Sequence, residues 1–233
     1  MMFGKYADPN AAKDVFKAVQ DEDLTNLRFF LSDGADIDMR NEHGHTLLHV
    51  AILENRLQAA RLLLDAGADA DMHGGSAGYT PLHFTAYKKN SDMTRLVLEY
   101  TEQLERTDHQ NMTPLQMAAF MGCKDVVAAL AEAGADFKRT DTFGHTPAAI
   151  AQQRAGEDWG SSASKPFIDT STYLFNLLQN SLPENARSAP PPVVPVHKPE
   201  QFARDMEALQ KYNPDPARFR LQGHKRGPKP PNA

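Results

Sequence analysis

Gly78-Tyr79-Thr80-Pro81-Leu82-His83-Phe84-Thr85-Ala86 decides the fold because it comes back. Asn111-Met112-Thr113-Pro114-Leu115-Gln116-Met117-Ala118-Ala119 and Gly144-His145-Thr146-Pro147-Ala148-Ala149-Ile150-Ala151 repeat it at intervals of 33 residues. Gly44-His45-Thr46-Leu47-Leu48-His49-Val50-Ala51 precedes it by 34. A fixed period of this size marks stacked units, none of which can bury its apolar face alone. Such an array offers an extended surface rather than a catalytic pocket.

Each unit reads as hairpin tip, helix, turn, helix, loop. Proline suits the first helical turn, where its missing N–H costs nothing, and the threonine before it can cap the helix. Leu82 and Ala86, like Leu115 and Ala119, fall at helical spacing on one face. Second helices are predicted over 57–65, 93–100 and 124–132. Gly67-Ala68-Asp69 and Gly134-Ala135-Asp136 end two of them, with glycine free to take the left-handed conformation that stops a helix.

These openings and closes resemble the ankyrin repeat, over roughly three quarters of the chain. The resemblance implies an all-α solenoid of helix-turn-helix repeats with short hairpin loops. The domain then spans 8–180: a cap repeat 8–40 with Gly34-Ala35-Asp36 but no Thr-Pro, repeats 41–73, 74–107 and 108–140, and a divergent last repeat or cap 141–180. Three departures stand out. Thr101-Glu102-Gln103 replaces Gly-Ala-Asp, so that loop is expected to be strained or altered. Gly74-Gly75-Ser76-Ala77-Gly78 carries the extra residue and is expected to form a looser tip. Gly156 to Lys165 reads as an insertion, with the last helix over 172–180 and Tyr173, Leu174, Leu177 and Leu178 facing inward.

The resemblance also implies a protein–protein interaction module, an adaptor or regulator, working through its concave helix face and hairpin tips. Carried onto this sequence, that surface comprises Leu53, Tyr79, Tyr87, Lys88, Met112, Phe120, Met121, Phe143 and Arg154. Leu53, Tyr87, Phe120 and Met121 are expected to form an apolar stripe across three repeats, bordered by Tyr79, Met112 and Phe143.

Composition agrees with a surface rather than a reaction. Residues 1–187 hold 17 Lys/Arg against 26 Asp/Glu, a net charge of −9, which disfavours nucleic acid. Residues 188–233 hold 8 against 4, a net charge of +4. Cys123 is the single cysteine, so no internal disulfide can form. No export signal and no apolar run of about 20 residues is found, so a cytoplasmic, membrane-free monomer is expected. His49 and His83 sit at the Thr-Pro-Leu-His position, which the resemblance makes structural. His43, His45, His73, His109 and His145 lie at or near the tips as solvated residues, without the ligand set a metal needs. Cys123 lacks a placed histidine. No phosphate loop or acid/base pair is present. Neither catalytic residues nor cofactors are expected.

Beyond Ser181 the composition changes. Pro190-Pro191-Pro192-Val193-Val194-Pro195 reads as a polyproline spacer and 181–233 as a Pro-rich, largely disordered tail. Phe202, Met206, Leu209 and Tyr212 fall on one face of a short amphipathic helix over 199–212. That stripe can dock on the repeats or engage a partner. Two further readings are an enzymatic activity within 156–233, and a bacterial effector delivered into a host cell with the basic tail as signal.

Overall fold

The computed structural model describes residues 9–157 and 163–181. Ten helices occupy them: α1 Pro9–Gln20, α2 Leu24–Ser32, α3 Leu47–Leu53, α4 Leu57–Asp65, α5 Pro81–Lys88, α6 Ser91–Leu98, α7 Pro114–Phe120, α8 Lys124–Glu132, α9 Pro147–Glu157 and α10 Lys165–Asn180. The odd-numbered helices pack in series to form one row. The even-numbered helices form a second row behind it. Among the described residues the only β pairing is two isolated bridges, Arg40 with Thr46 and Gly74 with Tyr79.

The threonines start the front row as the sequence suggests. Thr46, Thr80 and Thr113 each form a reciprocal capping box with the residue three along, His49, His83 and Gln116. In the last repeat that residue is Ala149, and only the Thr146 hydroxyl accepts the Ala149 N–H, at 3.3 Å. Leu47, Leu48, Ile52, Leu82 and Leu115 are then buried from the front row, and Leu63, Met93, Leu96 and Leu130 from the back.

The helices α1, α3, α5 and α7 each stop on a left-handed residue: Glu22, Asn55, Lys89 and Gly122 have φ between 56° and 65°. Three of the four are not glycine, so the motif is invisible to a search for Gly. Gly34, Gly67 and Gly134 close the second helices at φ of 94° to 100°. The third repeat does without one: Glu99 ends α6 at φ −68°. Its turn is altered rather than strained. The Tyr100 hydroxyl donates to Asp65 at 2.5 Å, and the Thr101 hydroxyl donates to Asp71.

The tips are built on a side-chain acceptor. Asn41 takes the N–H groups of His43 and His45, Asp108 those of Gln110 and Met112, and Asp141 those of Phe143 and His145, all at 2.8–3.0 Å. Gly74 stands where the second tip would need that residue, and the tip closes through the backbone instead. Gly74 and Tyr79 exchange both hydrogen bonds, at 2.8 and 3.1 Å. The tip is then held from both sides: Gly75 N–H reaches Gly44 O at 3.2 Å, and His109 donates from its backbone to Ala77 O at 3.0 Å. It is not the looser tip its glycines suggest. They are needed because the neighbours stand so close.

A Cβ at Gly74 would lie 2.6–2.9 Å from three ring atoms of buried His49. At Gly67, a Cβ meets nothing within 4 Å and only the φ of 94° resists it. Gly74→Ala is therefore expected to cost about 3 kcal/mol, by overpacking a rigid ring, against about 1 kcal/mol for Gly67→Ala. Denaturant midpoints of the two variants check this order, and equal shifts would contradict it.

The C-terminal repeat departs furthest from expectation. α10 begins at Lys165 rather than near 172, and α9 runs on through Gly156 to Glu157. Leu174 is buried, and Tyr173 and Leu177 pack against the core, whereas Leu178 is half-buried and lies outside it.

Candidate protein-interaction surface

The repeats are tied to each other through the same residues that cap the helices. His83 takes the Thr80 N–H on Nδ1 at 3.2 Å, which leaves Nε2–H to donate to Met112 O of the next repeat at 2.8 Å. Gln116 copies both bonds: its Oε1 accepts from Thr113 N–H at 2.9 Å and its Nε2 donates to Arg139 O at 3.1 Å. His49 accepts the Thr46 N–H at 3.1 Å, and its ring lies edge-on to Phe84, centroids 5.1 Å apart.

Burial holds His49 at a pKa of about 3, helped by the charges of His45 and Arg40. Burial takes His83 to about 4, although the Met112 carbonyl opposes the shift. Protonation would place a cation in a dry site and a proton on Nδ1 facing a backbone N–H. Both histidines are therefore neutral: His83 clamps one repeat to the next, while His49 caps its own helix with Nε2 buried and unpartnered. Arginines tie the loops in the same way: Arg40 donates to His73 O at 2.7 Å, Arg106 to Asp71 O at 2.8 Å and Arg139 to Glu105 O at 3.3 Å.

Several tip histidines are not solvated. His145 is 5% exposed and bonded to Asp141 at 3.2 Å. His45 is half-buried with its ring 5.3 Å from Phe84, and burial lowers its pKa. His73 donates to Gly78 O at 2.7 Å. Among the described residues no group of three His, Cys, Asp or Glu is placed to hold a metal. Burial pushes the Cys123 thiol up, away from the reactive thiolate.

The apolar stripe is only partly a surface. Phe120 is 7% exposed, which corrects its reading as a solvent-facing residue. The Arg154 guanidinium covers its ring at 4.8 Å and also faces Phe167 at 5.3 Å. Phe167 comes from the early start of α10, a segment with no counterpart in the other repeats.

Leu53 and Met121 are half-buried and lean on the core. Tyr87 and Lys88 are half-buried at the end of α5. Tyr79 and Met112 belong more to the interior than the border: Tyr79 stacks on His83 at 5.8 Å and meets Phe84 edge-on, and Met112 packs against the core. Burial raises the Tyr79 phenol. Phe143 stands out at 50% exposure on the last tip. Phe202, Met206, Leu209 and Tyr212 lie outside the described residues.

A charge pattern along the same row escapes a position-by-position reading. The turn after α1 carries Asp21, Glu22 and Asp23, the turn after α3 pairs Glu54 with Arg56, Lys88 and Lys89 close α5, and α8 opens on Lys124 beside Asp125. Glu54, Lys89 and Lys124 are exposed. Lys124 lies over the Tyr173 ring at 5.7 Å, and the Lys89 charge acts on the Cys123 thiol. On a body of net charge −9, Lys88 and Lys89, with Lys124 of the next repeat, make a local basic rim at the end of α5.

Paired rows of short helices, bound through capping residues and carrying variable side chains along one face, define a stacked-repeat scaffold. Two family models for ankyrin repeats, one of three copies and one of many copies, match residues 70–141 and 15–64. The chain belongs to the ankyrin-repeat family.

It is 31% identical over 87 residues to a putative ankyrin repeat protein, FPV024, of Fowlpox virus, over 37% of this chain. It is 33% identical over 70 residues to the NF-kappa-B inhibitor cactus of Drosophila melanogaster, over 30% of this chain. It is 40% identical over 60 residues to ankyrin repeat and SOCS box protein 16 of Homo sapiens, over 26% of this chain. The matches span 13–15% of the length of these relatives. Ankyrin repeats generally mediate protein–protein interaction. No described helix is long and apolar enough to cross a membrane.

Proposed function

We propose that this chain is an adaptor or regulator that holds a partner protein against the row of first helices. The partner covers Leu53, Tyr87 and Met121 and meets the rim of Lys88, Lys89, Lys124 and Arg154, with Phe143 gripping it from the last tip. One observation carries the reading: half-buried apolar side chains recur along one row of a rigid stack, beside a basic rim on an acidic body. Side chains held this way lose little freedom on binding, which favours affinity. The basic rim suits a partner segment whose acidic end lies over the third and fourth repeats. A single cysteine and an interaction scaffold suit a cytoplasmic monomer.

Tyr87→Ala combined with Met121→Ala removes two contacts of hot-spot type. With the full chain as bait, quantitative mass spectrometry is expected to show at least one captured protein falling about tenfold or more, a loss of about 1.4 kcal/mol. The thermal midpoint should stay within about 3 °C, since neither side chain is fully buried. Unchanged capture of every protein would refute the reading.

A further inference from the structure

α10 closes the C-terminal end of the stack, and it is apolar on more sides than its own packing needs. Only Thr170 and Leu174 are buried along it. Tyr173 and Leu177 pack against the core on one side of Leu174. Ile168, Phe175 and Leu178 take no part in the core. They recur at i, i+7 and i+10, which puts them together on the other flank of the helix. Ile168 is 41% exposed, and Phe175 and Leu178 are half-buried. An apolar flank left half-buried and outside the core is a surface suited to a further apolar cover.

We propose that residues 199–212 of the same chain form that cover, laying Phe202, Leu209 and Tyr212 against Ile168, Phe175 and Leu178. The spacing matches: Phe202, Leu209 and Tyr212 also recur at i, i+7 and i+10, with Met206 between them. Lengths agree as well. α10 has 16 residues, about 24 Å at 1.5 Å per residue, and the 14-residue segment makes about 21 Å if helical. The 20 residues from 182 to 201 can span roughly 65 Å when extended, so either orientation along α10 is within reach.

One feature favours this chain's own tail over a second copy. A tether of this kind holds the tail at an effective concentration in the millimolar range, far above the micromolar concentration of free copies. The basic stretch 216–233 lies beyond the segment, so docking would leave it free.

Amide hydrogen exchange of the full chain, followed by mass spectrometry, tests the proposal. Peptides within 199–212 are expected to exchange at least tenfold more slowly than peptides within 216–233. Ile168→Asp combined with Phe175→Asp should abolish that protection, as should Phe202→Asp combined with Leu209→Asp in the tail. The tail variant should also speed exchange in α10, while α3 to α6 stay unchanged in both variants. No protection of 199–212 in the natural sequence, or protection that survives both variants, would overturn the proposal. Protection that disappears on dilution together with a dimeric mass by light scattering would overturn it in favour of a second copy.

Discussion

At pH 5 the protein is expected to lose about 4 kcal/mol of folding stability relative to pH 7.5, about 2 kcal/mol from each of His49 and His83. The unfolded chain holds its histidines near a pKa of 6.5, while burial holds these two at about 3 and about 4. A depressed histidine contributes stability that is complete above 6.5 and drains away as the pH falls toward the folded value. The unfolded state binds protons through this window and the folded state does not. His45, also lowered by burial, acts in the same direction. Asp108 and Asp38, raised chiefly by burial, act in the opposite direction.

The protein supplies its own control. Gln116 makes both bonds of the His83 position with a side chain that does not titrate. His49→Gln combined with His83→Gln should therefore keep the fold and remove most of the acid loss. Chemical denaturation of both proteins at the two pH values measures it. An equal loss in the variant would show that these histidines are not what acid attacks. The effect matters because a domain's whole stability is only about 5–15 kcal/mol.

The second large effect is expected at Phe120. Its burial under Arg154 makes Phe120→Ala a core truncation costing about 3 kcal/mol, and a fall in thermal midpoint of roughly 6–12 °C. Leu53→Ala, at the same place in an earlier repeat but half-buried, should cost less than half as much. In a stacked array each unit leans only on its neighbours, so the damage should appear first in α9 and α10. Hydrogen exchange can read that locality. A midpoint shift under about 2 °C would return Phe120 to the surface.

The contrast between Leu53 and Phe120 shows where sequence reasoning reaches its limit. Periodicity reports what every unit shares: the Thr-Pro cap, the apolar face, the glycine stop. It led directly to the ankyrin fold because those features are local and repeated. Phe120 looks equivalent to Leu53 and Tyr87 within one period. The Arg154 guanidinium covers it from α9, and that guanidinium is faced in turn by Phe167, which is present only because α10 starts early, after a stretch no other repeat contains.

The second tip differs from the expectation its sequence raises for a similar reason. Its glycines suggested slack. Their purpose is clearance for the rings of His45, His49 and His109, which arrive from other elements. The left-handed stops at Glu22, Asn55 and Lys89 were hidden because the backbone there is set by the helix-to-helix turn and not by residue type. The basic rim was readable, but only once the turns were aligned by structural position.

A photocrosslinking residue placed at Tyr87, in the row of first helices, or at Arg95, exposed on α6 in the row behind, tests the central claim most directly. The full chain carrying either residue would be irradiated in its native cell extract, and covalent adducts identified by mass. Adducts to a defined partner from position 87 and none from position 95 are the predicted result. Adducts from position 95 alone, or equally from both, would contradict binding on the row of first helices.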